Sequence, residues 1–162
     1  MARHAPTPAP LRRRDFPLEP ALDFLQHLWA LNHALERTSL RMERALGVTA
    51  QQRLVLRCLG KYPGMTPSQL AAVLHLDRGT VSVTLRRLEQ RGLVSRTKDR
   101  DDARKVVLAL SAKGRRFDRP TPGTVEAAVE ALLQEAGAAK VTSAKAVLRA
   151  LSAHLEAGLP PR

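Results

Sequence analysis

Leu18, Leu22, Leu25, Trp29, Leu35, Met42 and Leu46 follow one another at steps near three, four or seven residues. That spacing predicts a long amphipathic helix over 18–46. Leu28 and Leu31 widen the stripe beyond what one small core demands, so a second subunit is expected against it, and Trp29 is read as a packing residue. Gly47 closes this helix, and Thr49-Ala-Gln-Gln52 opens the next with a reciprocal cap between Thr and Gln. Leu54, Val55, Cys58 and Leu59 then point inward until Pro63-Gly64 stops the segment. Thr66-Pro-Ser-Gln69 repeats the capping pattern with proline at the first helical position, and Leu70, Ala71 and Leu74 supply a short apolar face. Asp77 is the expected cap of a helix from Arg78 to about Gln90, whose apolar side carries Val81, Leu85 and Leu88.

Two short helices joined by a tight turn, the second amphipathic, form a helix-turn-helix. Behind it, Leu93–Thr97 and Arg104–Leu110 alternate as strands around the polar turn 98–103, which predicts a β-hairpin wing. The fold class is therefore mainly α with a small β-hairpin wing. Its expected organisation is a flexible basic arm over 1–17, a dimerisation helix over 18–46, a winged helix-turn-helix over 47–114, and C-terminal dimerisation helices over 115–162.

Charge gives this architecture a partner. Lys and Arg number 27 against 15 Asp and Glu, a net charge of +12, and such an excess favours a polyanion. Residues 77–119 hold 13 basic and 6 acidic side chains, whereas 120–162 hold 4 of each, so the charge lies on the helix-turn-helix and wing. A helix enters the major groove only where its leading turns are slim, which suits Gly79, Thr80 and Ser82, with Thr84 beside them. Arg86 and Arg87 reach phosphates farther along. The remaining candidate contacts to double-stranded DNA are Thr66, Ser68 and Gln69, Arg78, and the wing residues Arg96, Lys98 and Arg100. Asp99, Asp102 and Arg104 are expected to stabilise the wing, a carboxylate pairing with Arg104 across the turn.

Other chemistries find little support. One cysteine excludes an internal disulfide and a four-cysteine zinc site, and Cys58 is read as a small buried hydrophobe. Asp99, Asp101 and Asp102 lack the spacing of a calcium loop, and His27 and His33, six apart, make no ligand pair on one helix face. There is no nucleophile–base arrangement and no phosphate-binding glycine loop, so neither an enzyme, a metal nor a cofactor is expected. No apolar run suits a membrane span or a signal peptide, which points to the cytoplasm. The alternative to a sequence-specific regulator is an architectural protein that grips duplex DNA without sequence preference.

The ordered motifs Leu46-Gly-Val-Thr-Ala-Gln-Gln52, Pro63-Gly-Met-Thr-Pro-Ser-Gln-Leu-Ala71, Asp77 through Arg96, Asp99-Arg-Asp-Asp-Ala-Arg104 and Leu108-Ala-Leu-Ser-Ala-Lys-Gly114 resemble the MarR family of winged helix-turn-helix transcription regulators. The resemblance implies a cytoplasmic homodimer on a pseudopalindromic operator, commonly a repressor, with 78–90 in the major groove. Many members release DNA when a small phenolic or anionic effector binds. Two departures stand out. Asp101 occupies a wing position where the family most often has a minor-groove Arg, so either Arg100 substitutes with shifted geometry or minor-groove reading is weak. Pro120, Pro122 and Gly123 fall where the family usually runs one unbroken helix, and they predict a bent joint between wing and dimerisation helices.

Overall fold

The computed structural model describes residues 18–99, 102 and 104–158. The basic arm over 1–17, Arg100 and Asp101 lie outside the described residues. The chain divides into two units, 1–36 and 37–162.

Among the described residues of the first unit the regular element is the N-terminal part of helix α1, which as a whole runs Pro20–Leu46. Of its large apolar side chains, Leu22, Phe24, Leu25, Leu31 and Leu35 are exposed and Trp29 is 67% exposed. Polar i,i+3 and i,i+4 pairs, Gln26 with Asp23 and Asn32 with Glu36, decorate the helix surface.

The second unit holds the core. Beyond the end of α1 come α2 (Ala50–Lys61), α3 (Pro67–Leu74), α4 (Arg78–Gln90), strands β1 (Val94–Lys98) and β2 (Val106–Leu110), a 3-10 turn (Gly114–Phe117), α5 (Val125–Ala136) and α6 (Ala138–Ala157). Both reciprocal caps form as the residue types require. Thr49 Oγ1 accepts the Gln52 amide at 3.2 Å while Gln52 Oε1 accepts the Thr49 amide at 3.2 Å. Val55, Leu56 and Leu59 of α2, Leu70 of α3, Val81, Leu85 and Leu88 of α4, and Leu93 and Leu108 of the hairpin close one buried cluster. Each side chain buried there contributes about 1.5–3 kcal/mol relative to exposure, so this cluster fixes the angles among the three helices and the wing.

The strands pair antiparallel, Val94 opposite Leu110 and Lys98 opposite Val106. The other edge of β2 is also occupied: the Leu108 amide donates to the Met65 carbonyl at 2.8 Å and the Leu108 carbonyl accepts from Gly64 at 3.1 Å. The α2–α3 loop thus anchors the wing, a contact the periodicity of the loop does not announce. The hairpin base is locked by Ser111, whose hydroxyl donates to the Gly92 carbonyl at 2.6 Å and accepts the Gly114 amide at 2.9 Å.

The prolines break the helix path as expected, and α5 starts only at Val125, capped by Thr124. Side chains of α2 hold this bent segment in place. Arg53 of α2, 1% exposed, donates to the Arg119 carbonyl at 2.6 Å and to Thr121 Oγ1 at 2.9 Å, and it pairs with Glu126 of α5. Arg57, one turn on, donates to the Asp118 carbonyl at 2.8 Å and to its carboxylate at 3.0 Å. A proline-rich segment that cannot satisfy its own carbonyls through a helix has them satisfied by two guanidinium forks. Val129, Leu132 and Leu133 of α5 and Val147, Leu148 and Leu155 of α6 remain exposed.

Candidate nucleic-acid interface

α3 and α4 are started by capping side chains, among them Thr66 and Gln69, which are also expected DNA contacts. Thr66 Oγ1 accepts the Gln69 amide at 3.2 Å, and Gln69 Oε1 accepts the Thr66 amide at 2.8 Å, so both groups are committed to the cap. Ser68 stays exposed between them. Asp77 Oδ1 accepts the Thr80 amide at 2.8 Å, and the Thr80 hydroxyl donates to the second carboxylate oxygen. The hydroxyl and amide of Thr80 hold the Asp77 carboxyl below its ordinary pKa. With the folded value depressed, the cap's contribution is present above the unfolded carboxylate pKa and fades only as pH falls through the folded one, so it is constant across neutral pH.

α4 buries Val81, Thr84, Leu85 and Leu88. Thr84 is only 6% exposed and cannot touch a partner, which removes it from the candidate contacts. Its position three residues after Val81 and four before Leu88 places it on the core stripe. The opposite face carries exposed Gly79, Ser82, Arg86 and Arg87. Between them stands Val83, 50% exposed, although its residue type suggests a core position. An apolar group on the polar face of such a helix suits a thymine methyl.

Arg78, Ser68 and Ser82 meet Arg96 of β1 around a small cleft of about 110 Å³, floored by Val81 and Leu85. Two guanidinium groups and two hydroxyls above an apolar floor can hold a phosphate. Arg96 is also paired with Glu89 of α4, which ties the wing to the helix and takes part of its charge. Lys98 is exposed at the end of β1. At the tip, Asp99 donates its amide to the Lys105 carbonyl at 2.9 Å, and Asp99 Oδ1 accepts the Asp102 amide at 3.0 Å, so Asp99 closes the turn through the backbone. Asp102 does pair with Arg104, at 3.4 Å, but two residues away on the same side of the turn; with the Arg104 side chain 94% exposed the pair adds little. Among the described residues no cluster of three or more potential metal ligands occurs, and no helix is long and apolar enough to cross a membrane.

A capped helix pair with an outward polar face, followed at once by a two-stranded wing, defines a winged helix-turn-helix protein. The MarR family profile matches residues 48–106. The organic hydroperoxide resistance transcriptional regulator of Bacillus subtilis is 31% identical over 111 residues, 67% of this chain and 74% of the relative. The HTH-type transcriptional regulator SarZ of Staphylococcus saprophyticus is 32% identical over 110 residues, 68% of this chain and 74% of the relative. Among solved structures, FabT of Streptococcus pneumoniae in complex with DNA superposes with a TM-score of 0.62 at 26% identity, covering 84% of this chain and 97% of that one. The chain belongs to the MarR family, and it is accordingly a transcription regulator, not an enzyme.

Proposed function

We propose that the protein is a homodimeric, cytoplasmic repressor that binds a pseudopalindromic operator in double-stranded DNA. The observation that carries this reading is the outward face of α4, slim at Gly79 and Ser82, apolar at Val83 and basic at Arg86 and Arg87, set beside the Arg78–Arg96 cleft. Uncovered apolar residues on the first part of α1, and separately on α5 and α6, are the surfaces a second copy would cover. Repression asks least of the chain, because a dimer lying on a promoter excludes other proteins by its volume. Release by a small phenolic or anionic effector comes with the family resemblance, and a thermal-shift screen of such compounds tests it.

Selection of sites from random duplexes is the decisive experiment, and a spaced inverted repeat is the expected result. Affinity for that site should exceed affinity for random DNA by roughly 10³ or more. A ratio near one would instead identify a sequence-nonspecific architectural protein. Log affinity should fall linearly with log salt at a slope of about 0.9 per phosphate neutralised. Binding that hardly changes between about 50 and 200 mM salt would defeat the electrostatic part of the reading.

Within the helix, Ser82→Ala and Val83→Ala should each narrow the gap between operator and random duplex by roughly 1–3 kcal/mol. Arg86→Ala or Arg87→Ala should weaken both duplexes alike. Competition titrations of the four variants on both DNAs check this, and identical patterns for Val83→Ala and Arg87→Ala would sink it.

The hydroperoxide link in the name of the Bacillus relative does not extend to Cys58. Cys58 is 8% exposed, its sulfur lies 3.8 Å from the Met65 sulfur, and burial pushes the thiol pKa up. Peroxides attack thiolates, and here the thiolate is disfavoured and covered. Cumene hydroperoxide should leave operator affinity unchanged and the thiol titratable after denaturation; a loss of DNA binding that Cys58→Ser prevents would contradict this.

A further inference from the structure

The side chains that α2 turns toward the connector share one helix face: Arg53, Arg57 and Gly60 stand at i, i+4 and i+7. Arg53 holds the Arg119 carbonyl, Thr121 and Glu126, Arg57 holds both ends of Asp118, and a side chain on Gly60 would overlap the Asp118 carboxylate. Thr121 passes the linkage on, since its hydroxyl donates to the Arg119 carbonyl at 3.0 Å and its own carbonyl accepts the Thr124 hydroxyl at 2.7 Å. Thr124, 2% exposed, then caps α5. An unbroken chain of directional contacts therefore runs from the middle of α2 across the proline segment to the first turn of α5.

Stability alone does not call for this construction, because apolar groups of similar volume commonly replace a buried ion pair at no cost. What a guanidinium fork adds is direction: several acceptors must lie in its plane at once. The prolines have removed the continuous helix that would otherwise fix the approach of α5, and α5 and α6 carry the uncovered apolar surface on the far side of the break. α2, in turn, shares its buried core with α4.

We infer that Arg53 and Arg57 are positioning residues for operator recognition, strapping the proline connector to α2 so that the dimer-forming helices hold a fixed direction from α4 and one half-site spacing is preferred. The inference rests on the dimeric, operator-binding reading above. Without the strap the same dimer would sample several directions, and the competent one would be a fraction of the population, lowering apparent affinity for a fixed spacing by that fraction.

The test replaces the directional pair by apolar side chains, Arg53→Met with Glu126→Leu, and separately makes Arg57→Met in the full chain. For each protein one measures melting temperature, mass in solution, affinity for a single half-site, and the spacing selected from duplexes with randomised half-site separation. The expected result is a folded dimer with half-site affinity within about twofold of the parent, full-operator affinity reduced about tenfold or more, and a selected spacing spread over neighbouring values. A folded variant with the parent's operator affinity and single spacing overturns the inference and leaves the strap a packing feature. Should the double variant not fold, Arg57→Met, a half-buried site, decides in the same way at smaller amplitude. If the parent itself selects no paired half-sites or runs as a monomer, the dimeric reading fails first, and the inference with it.

Discussion

Gly114→Ala should cost the protein about 3 kcal/mol or more of folding stability, a large share of the roughly 5–15 kcal/mol that a domain possesses. A Cβ on Gly114 would fall on the carbonyl oxygen of Leu93, which is backbone and already accepts the Ser111 amide at 3.1 Å. No side chain can rotate away to make room. Relief requires the 3-10 turn to lift from the hairpin base, breaking the Ser111 contacts to Gly92 and Gly114 that hold it there. Urea denaturation of parent and variant measures the difference, and a loss below about 1 kcal/mol would mean that the approach is softer than the structure shows.

Leu85→Ala should be comparably damaging, at about 2–5 kcal/mol. Leu85 is 0% exposed, lies in the cluster shared by the helices and the wing, and also floors the Arg78–Arg96 cleft. Its loss leaves a cavity directly beneath the outward face of α4. Denaturation midpoints give the stability term, and operator titration at low temperature, where the variant is still folded, gives the rest. Because no DNA-facing group is removed, the salt slope should match the parent's even where affinity has fallen. A change of slope without a change of stability would show that Leu85 acts at the interface directly.

What could be read from the sequence was whatever depends on near neighbours. The caps at Thr49, Thr66 and Asp77 involve a residue and its third successor, so composition at fixed spacing suffices. The helix break follows from the missing amides of Pro120 and Pro122 in the same local way. Val83 and Thr84 were legible too, but only by counting around the helix, since residue type alone puts each on the wrong face. Arg53 was not legible. A lone arginine in an amphipathic helix reads as solvated, and only partners 66 to 73 residues away make its burial tolerable. The same holds for the seat that Met65 and Gly64 provide for Leu108.

The strap also says where this regulator could be cut and grafted. A winged module excised at Gly114, where its motifs end, would carry away Arg53 stripped of Thr121, of Glu126 and of the Arg119 carbonyl, so that the directional contacts that orient α5 are lost with them. The smallest transplantable piece therefore extends through the connector into the first turn of α5. Chimeras that exchange recognition modules between dimerisation scaffolds should place their junction after Glu126, within the exposed surface of that helix, so that both ends of the guanidinium contacts travel together.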